Sequence, residues 1–369
     1  MRWLFCRHLQ ADEMTRYDRH ISLPEIGESG QQKLLDAKVL MIGAGGLGCP
    51  ALQYLTAAGV GTIGIIDGDL IEESNLQRQI LFSTSDIGTK KVEAAKNRLE
   101  ALNPEVRINI YPENLTKENA LEIVEVYDLV IDGTDNFSTR YLVNDACMKL
   151  NKPFVYGAIH KFEGQVSVFN LNGGPTYRCL FPDPPKPDQI PNCEEVGVLG
   201  VLPGIVGTLQ ATEALKVILG IGEPLSGKLK LINVLNNEDS TVRFSKNEVQ
   251  IEKAKRAWGD SDYTANCSPA PQSLTWEKID KLKGDLTFLD VRQPHEMPKL
   301  DQSGVVNIPL HELPGRLNEL EAGRPVVVFC QHGIRSLHAI EFLHQNMKNI
   351  ILINAEGGIV TNTSIANEQ

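Results

Sequence analysis

The stretch KVLMIGAGGLGCP, Lys38–Pro50, decides how the rest of the chain is read. Val39, Leu40, Met41 and Ile42 form an apolar run expected of a buried strand. The glycines after it, Gly43, Gly45 and Gly48, have the spacing G-x-G-x-x-G. Pro50 lies where a first helical turn tolerates a missing donor. Strand, tight turn and helix start together make a phosphate cradle. The first two glycines admit backbone N–H groups close to phosphate oxygens, the third allows close helix–strand packing, and the positive helix end faces the anion. Asp67 ends the next strand, Thr62–Asp67, where a carboxylate holds ribose hydroxyls. These features suit ATP and NAD alike, so residues further along the chain must decide between them.

At 369 residues the chain accommodates two domains with separate cores. It is 42% hydrophobic and 22% charged, as ordinary globular proteins are, and its formal charge is -11. That charge argues against nucleic acid or an anionic membrane as partner, since both demand clustered Lys and Arg. A protein or small molecule is expected instead. The segment MRWLFCRHLQ lacks the apolar length of a signal peptide, and no continuous apolar run of membrane-spanning length is read, so a cytoplasmic protein is expected. Seven scattered cysteines suit reduced thiols rather than a disulfide framework.

Outward from the glycine turn, Met14–Lys33 reads as a polar lead-in helix carrying Arg16 and Arg19, and Ala51–Ala58 as a helix ending near Gly59. The loop Asp67–Ser83 holds Asn75, Arg78 and Gln79, a polar cluster that a dehydrogenase does not need. Lys91–Leu102 is helical by pattern, with Val92, Ala95, Leu99 and Leu102 on one stripe. Lys91 then falls in the first turn, where a cation opposes the helix dipole, which points to a phosphate partner rather than a structural role. Strand Arg107–Tyr111, helix Lys117–Val126 and strand Leu129–Asp132 continue the alternation that favours a mostly parallel sheet. Asp135 and Asn136 come after that last strand, either at the ligand edge of the sheet or simply as helix caps.

Beyond Lys152 the pattern changes to an antiparallel pair, Pro153–Ile159 and Gly164–Phe169, then a Pro-rich loop, Phe181–Pro191. Cys193 closes that loop and reads equally as an inert or a reactive thiol. An apolar helix, Ile205–Leu219, and strands Lys228–Val234 and Thr241–Ser245 complete the first part. Residues 249–274 read as a linker. The alternation restarts with helix Thr275–Leu282, strands Thr287–Val291 and Val326–Cys330, helix Ser336–Gln345 and strand Ile350–Asn354. The expected fold is therefore α/β: a Rossmann-like, mostly parallel sheet with an antiparallel extension in 1–248, and a small α/β domain in 275–369.

The ordered set GAGGLG, Asp67, SNLQRQ, Lys91 and DGTDN resembles the MoeB/ThiF family, relatives of ubiquitin-activating enzymes that adenylate the C-terminal glycine of a small ubiquitin-like sulfur carrier. The resemblance extends to RYDRHISLPEIG, YGAIHKFEGQVSVF, YRCLFP and GVLGVLPGIVGTLQATEALK. It implies ATP and Mg²⁺ as cofactors, with Gly43, Gly45, Gly46, Gly48, Asp67, Ser74, Asn75, Leu76, Gln77, Arg78, Lys91, Asp135 and Asn136 around the nucleotide. Arg19, Arg78 and Asp135 would act on the phosphates, Asp135 through Mg²⁺. Arg19 would reach into the site of a second subunit, which implies a homodimer.

FLDVRQPHE, VVNIPL, VVVFCQHGIRS and EGGI resemble a single rhodanese domain. The six-residue loop Cys330–Arg335 lies between strand and helix, and its N–H groups would lower the thiol pKa and stabilise a persulfide. The alternative is an inert cysteine ending a core strand. Similarity to rhodanese-fused members gives Cys193 the part of a second thiol and implies a sulfur donor such as a cysteine desulfurase, with molybdopterin synthesis as the expected destination; thiamine synthesis or tRNA thiolation, or a rhodanese module that only docks partners, are the alternatives. Two departures stand out. The family's zinc-binding C-x-x-C pairs read Thr176–Cys179 and Cys267–Ala270 here, so no zinc is expected. After EGGI the family's Trp is replaced by Val360-Thr361-Asn362. The competing class is an NAD-linked oxidoreductase with a rhodanese-like module, which the cluster Arg78, Lys91 and Asp135 disfavours.

Overall fold

The structure, a computed structural model, describes residues 11–184, 197–260, 272–282, 285–300, 303–320, 324–347 and 350–362. It divides into two units, 1–265 and 266–369. In the first, the helices are α1 Ala11–Ile21, α2 Gly27–Asp36, α3 Gly48–Ala57, α4 Lys91–Leu102, α5 Ala120–Glu125, α6 Phe137–Lys149, α7 Tyr177–Leu180, α8 Val201–Leu219 and α9 Glu248–Asp260. The strands are β1 Lys38–Ile42, β2 Thr62–Ile66, β3 Arg107–Tyr111, β4 Leu129–Asp132, β5 Phe154–His160, β6 Glu163–Phe169, β7 Lys228–Asn233 and β8 Glu238–Arg243.

These eight strands form one sheet in the order β3-β2-β1-β4-β5-β6-β7-β8. Pairing is parallel from β3 to β5 and antiparallel from β5 to β8, the expected extension. The apolar run of β1 is explained by cover on both faces. Val39 and Met41 join a core with α3, α4 and α8, while Leu40 and Ile42 join a second core with α5 and α6. The strand order reverses at β1, whose neighbours β2 and β4 lead away on opposite sides, so the carboxyl ends of β1 and β4 flank the crevice where such sheets take ligands.

Three sequence expectations need correction. A run long and apolar enough to cross a membrane does exist, in α8, but Leu202, Val206, Gln210 and Glu213 are buried and the helix packs on α3, β5 and β6. The stretch 249–274 is not a plain linker. The helix α9 packs on α6 and α7 with Ile251 and Ala254 buried, and the Lys149 ammonium lies 5.4 Å over the Trp258 ring. Its carboxyl end contributes a strand, Gln272–Leu274, to the second unit. Within α4, Val92, Ala95 and Leu99 are buried, whereas Leu102, at the last turn, is 42% exposed.

The second unit consists of β9 Gln272–Leu274, α10 Trp276–Ile279, β10 Thr287–Asp290, β11 Val305–Asn307, β12 Val326–Phe329, α11 Ile334–Asn346 and β13 Leu352–Ala355. Its five strands are all parallel, in the order β11-β10-β12-β13-β9. Val326 and Val328 of β12 face one core, with Ala339, Ile340 and Leu343 of α11, and Val327 and Phe329 face the other, with Trp276. The central position of β12 puts Cys330, the next residue, at the middle of the sheet's carboxyl edge.

Candidate functional site

The glycine turn folds as the spacing required. Gly43 has φ +90°, a left-handed conformation that side chains resist, and a Cβ on Gly48 would stand 2.1 Å from the Gly43 carbonyl oxygen. A Cβ on Gly43 would lie 3.0 Å from the carbonyl oxygen of Gly133, so the turns after β1 and β4 touch at the reversal of strand order. Pro203 of α8 and the Arg78 stem cover Gly46, where a Cβ would meet them at 3.0 and 3.6 Å.

Asp67 comes directly after β2 and braces this turn. Its Oδ2 accepts the Ala44 N–H at 2.8 Å and its Oδ1 the Asp69 N–H at 2.9 Å, which leaves lone pairs for a ribose. Burial pushes its carboxyl up, against the opposing pull of Lys91 and the two N–H groups. Gln79 sits over Gly45, its Nε2 3.8 Å from where a Cβ would be. It is 4% exposed, and its Oε1 is buried with no hydrogen-bond partner. An orphaned acceptor beside a glycine turn fits a ligand that brings donors, as a nucleoside does.

The loop after Asp67 contains two short 3-10 turns, Glu73–Asn75 and Thr84–Asp86. Asn75 caps the first, its Oδ1 accepting the Glu72 N–H at 3.3 Å, and its Nδ2 donates to Ser74 Oγ at 3.4 Å. Arg78 donates to the Ser74 carbonyl at 3.0 Å. Gln77 lies against Gly200 ahead of α8, and Leu76 is half-buried in the core near α3.

Lys91 does begin α4, as expected, but it has a structural partner that sequence reasoning missed. Its ammonium lies 2.8 Å from Asp69 Oδ2, with 8% of the Lys91 side chain exposed against 66% for Asp69. The signal was present in D-x-D, Asp67 and Asp69, the alternate residues leaving a strand end. Asp135 is exposed on the turn after β4, and Asn136 takes the capping role, accepting the Thr139 N–H at 2.9 Å. Below that turn, Asp132 is wholly buried and accepts both the N–H and the hydroxyl of Thr134, at 3.0 and 2.6 Å. Its other oxygen stands 3.7 Å from Arg140 Nε. Arg19 is exposed on α1, and Cys193 lies outside the described residues.

The YRCLFP segment forms α7, held by a buried ion pair in which Arg178 meets both oxygens of Asp145 at 2.8 and 2.7 Å. Losing one partner of such a pair costs roughly 3–5 kcal/mol. Cys179 Sγ accepts the N–H groups of Thr176 and Asn247 at 3.4 and 3.3 Å, and Cys267–Ala270 lie outside the described residues.

In the second unit, Cys330 is buried and Gly333, with φ +89°, turns its N–H to the sulfur at 3.1 Å. Burial pushes the Cys330 thiol up, but the N–H groups of Ser336, His332 and Gly333 and the Ser336 hydroxyl outweigh it and bring it below the ordinary thiol value. By contrast, burial pushes the Cys49 thiol, in the first turn of α3, up to about 12, which makes it inert. Arg292, fully buried, grips Asp290 and donates to Gln331 Oε1 at 2.9 Å, tying the loop to β10. Where a Trp is missing after EGGI, a 3-10 turn Ile359–Thr361 stands. The Ile359 N–H bonds the Cys330 carbonyl at 2.8 Å, and an indole still reaches this turn, as Trp276 Nε1 donates to the Gly358 carbonyl at 2.8 Å.

Arg335 holds Glu296 through two contacts of 2.7 and 2.6 Å, and this guanidinium brings the Glu296 carboxyl from 4.5 down to about 2. The stability that this pair contributes is complete above pH 4.5 and fades as the pH falls toward about 2. Melting curves of the chain and of Glu296→Gln should therefore differ at neutral pH and converge in that acid window. Curves that stay parallel throughout would exclude a stabilising pair.

Comparison with known proteins agrees with this geometry. The family model described as ThiF family matches residues 17–253, and that of the rhodanese-like domain matches 274–360. A sulfur carrier protein adenylyltransferase of Thermus thermophilus is 55% identical over 64% of this chain and 86% of its own length. The probable adenylyltransferase/sulfurtransferase MoeZ of Mycobacterium tuberculosis is 40% identical over 90% and 88%. A probable molybdopterin-synthase adenylyltransferase of Porphyra purpurea is 38% identical over 98% and 95%. With a glycine turn at the reversal of its first sheet and a cysteine loop at the edge of its second, the chain belongs to the ThiF family and is an enzyme of the adenylyltransferase and sulfurtransferase type.

Proposed function

We propose that the chain adenylates the C-terminal glycine of a ubiquitin-like sulfur carrier with a Gly-Gly end, and that its rhodanese-like domain supplies sulfur to give a thiocarboxylate. The names of the Thermus thermophilus and Porphyra purpurea relatives support a sulfur carrier as substrate and molybdopterin synthesis as destination. The observation that carries the reading is a buried ammonium, Lys91, beside a glycine turn whose neighbour Gln79 keeps an unpartnered acceptor. The ammonium suits the phosphates of ATP, and the orphaned acceptor suits the donors of its nucleoside.

In this mechanism the carrier's carboxylate attacks the α-phosphorus of ATP and pyrophosphate leaves. Arg78 and Lys91 stabilise the charge that builds on the phosphate oxygens. Asp67 and Gln79 orient the nucleoside, and Ser74–Arg78 form the wall beside it. Asp135 offers a hard oxygen donor, which suits Mg²⁺, an ion that otherwise keeps waters and phosphate oxygens. When bound, Mg²⁺ neutralises phosphate charge. Arg19, exposed on α1, would complete the site of a second copy in a homodimer.

Cys330 would carry a persulfide loaded by a donor such as a cysteine desulfurase. Its terminal sulfur attacks the acyl carbon, the C–O bond to AMP breaks, and an acyl disulfide remains on Cys330. A Cys193 thiolate then attacks Cys330 Sγ and the thiocarboxylate departs. The resulting Cys193–Cys330 disulfide is reopened by a cellular thiol reductant, as a cytoplasmic location allows. ATP–pyrophosphate exchange with purified Gly-Gly carriers of molybdopterin, thiamine and tRNA thiolation tests the reading. Exchange that depends on the molybdopterin carrier is expected. Exchange with none of them would refute the adenylation, and exchange with another carrier alone would move the destination.

A further inference from the structure

Asp69 sits at the centre of a run of bonds joining the glycine turn to the first turn of α4. Its N–H donates to Asp67 Oδ1 at 2.9 Å, and Asp67 Oδ2 accepts the Ala44 N–H at 2.8 Å. Its carbonyl accepts the Lys91 N–H at 3.1 Å, and its Oδ2 meets the Lys91 ammonium at 2.8 Å. Neighbouring groups do not replace this contact. Asp67 feels the charge of Lys91 but turns its two oxygens to the Ala44 and Asp69 N–H groups, the Cys49 thiol is neutral, and the Lys90 ammonium turns away to the Gly68 carbonyl at 2.7 Å.

A buried ammonium at the positive end of a helix is doubly unfavourable, through desolvation and through the dipole. A counter-charge is needed to keep it there. The asymmetry of exposure shows which partner serves which: Lys91 is withdrawn from water and Asp69 is not. An ammonium has three donors, so a single carboxylate oxygen leaves others for an incoming anion.

We propose that Asp69 is a positioning residue of the adenylation site, holding the Lys91 ammonium beside the glycine turn so that the phosphates of the nucleotide find it in place. The proposal rests on the adenylyltransferase reading above. Asp69 acts through Lys91 rather than on the nucleotide, and it removes the need to reorganise a buried cation when the nucleotide binds.

The test compares the affinities of the whole chain for ATP and for adenosine by calorimetry, in the wild type, Asp69→Asn, Asp69→Glu, Lys91→Ala and the double variant D69N/K91A. Wild type should prefer ATP. Asp69→Asn should lose about tenfold of that preference while adenosine binding stays within about twofold. Asp69→Glu should recover most of the loss, and the double variant should match Lys91→Ala, because Asp69 has nothing to position without the lysine. A preference unchanged or raised in Asp69→Asn, a parallel loss for both ligands, or a double variant worse than Lys91→Ala would each overturn the proposal. A wild type with no preference for ATP over adenosine would refute the adenylation reading, and this proposal with it.

Discussion

Lys91→Ala is expected to lower carrier-dependent ATP–pyrophosphate exchange by about a hundredfold to a thousandfold while leaving a cooperatively folded protein. Catalysis of phosphoryl-type transfer is largely the placement of charge, and a cation held in a poorly solvated position is worth more than the same cation in water. The Lys91 ammonium is nearly withdrawn from solvent beside Asp67 and the glycine turn, so its loss cannot be replaced by a mobile surface lysine. The fold should survive because the partner left behind, Asp69, is already 66% exposed and returns to water without an uncompensated buried charge. Exchange within about threefold of wild type would mean that Lys91 is a structural ion-pair partner only.

Cys330→Ala is expected to abolish thiosulfate:cyanide sulfur transfer and thiocarboxylate formation, a loss of at least about a thousandfold, with pyrophosphate exchange unchanged. Sulfur transfer has no substitute for a covalent carrier, whereas adenylation uses no protein nucleophile. The surroundings of Cys330 favour a thiolate: three N–H groups and the Ser336 hydroxyl converge on it, whereas burial raises the Cys49 and Cys147 thiols. The substitution removes the sulfur and leaves every residue of the loop around it in place, so the variant tests the sulfur itself. Unchanged thiocarboxylate yield in Cys330→Ala would mean that the second domain only docks a partner, and a parallel loss of exchange would show that the two activities are not separable.

Both halves of the chain are legible in the sequence because their local patterns carry direct physical meaning. The run Val39–Ile42 had to be covered on both faces, the glycine spacing had to be a turn, and the strand ends of β3 and β4 fell where the alternation placed them. The six-residue spacing from Cys330 to Arg335 likewise marked a loop of N–H groups around sulfur. Misreadings came where long-range packing decides. The apolar side of α9 is modest and looks like linker until α6 and α7 are in place to bury Ile251 and Ala254. Asn136 had two possible roles, and only the backbone after β4 showed that its side chain caps α6.

By itself the sequence determined the two α/β units, the antiparallel extension, the glycine turn and the cysteine loop, since each depends on neighbours in the chain. Only the tertiary structure decided which groups serve one another. The pairing of Lys91 with Asp69, the Gln79 amide over Gly45, the Pro203 cover on Gly46 and the grip of Arg335 on Glu296 join residues far apart in sequence. Charge and hydrogen bonding act through distance in space, and that distance is set when the sheets and helices pack.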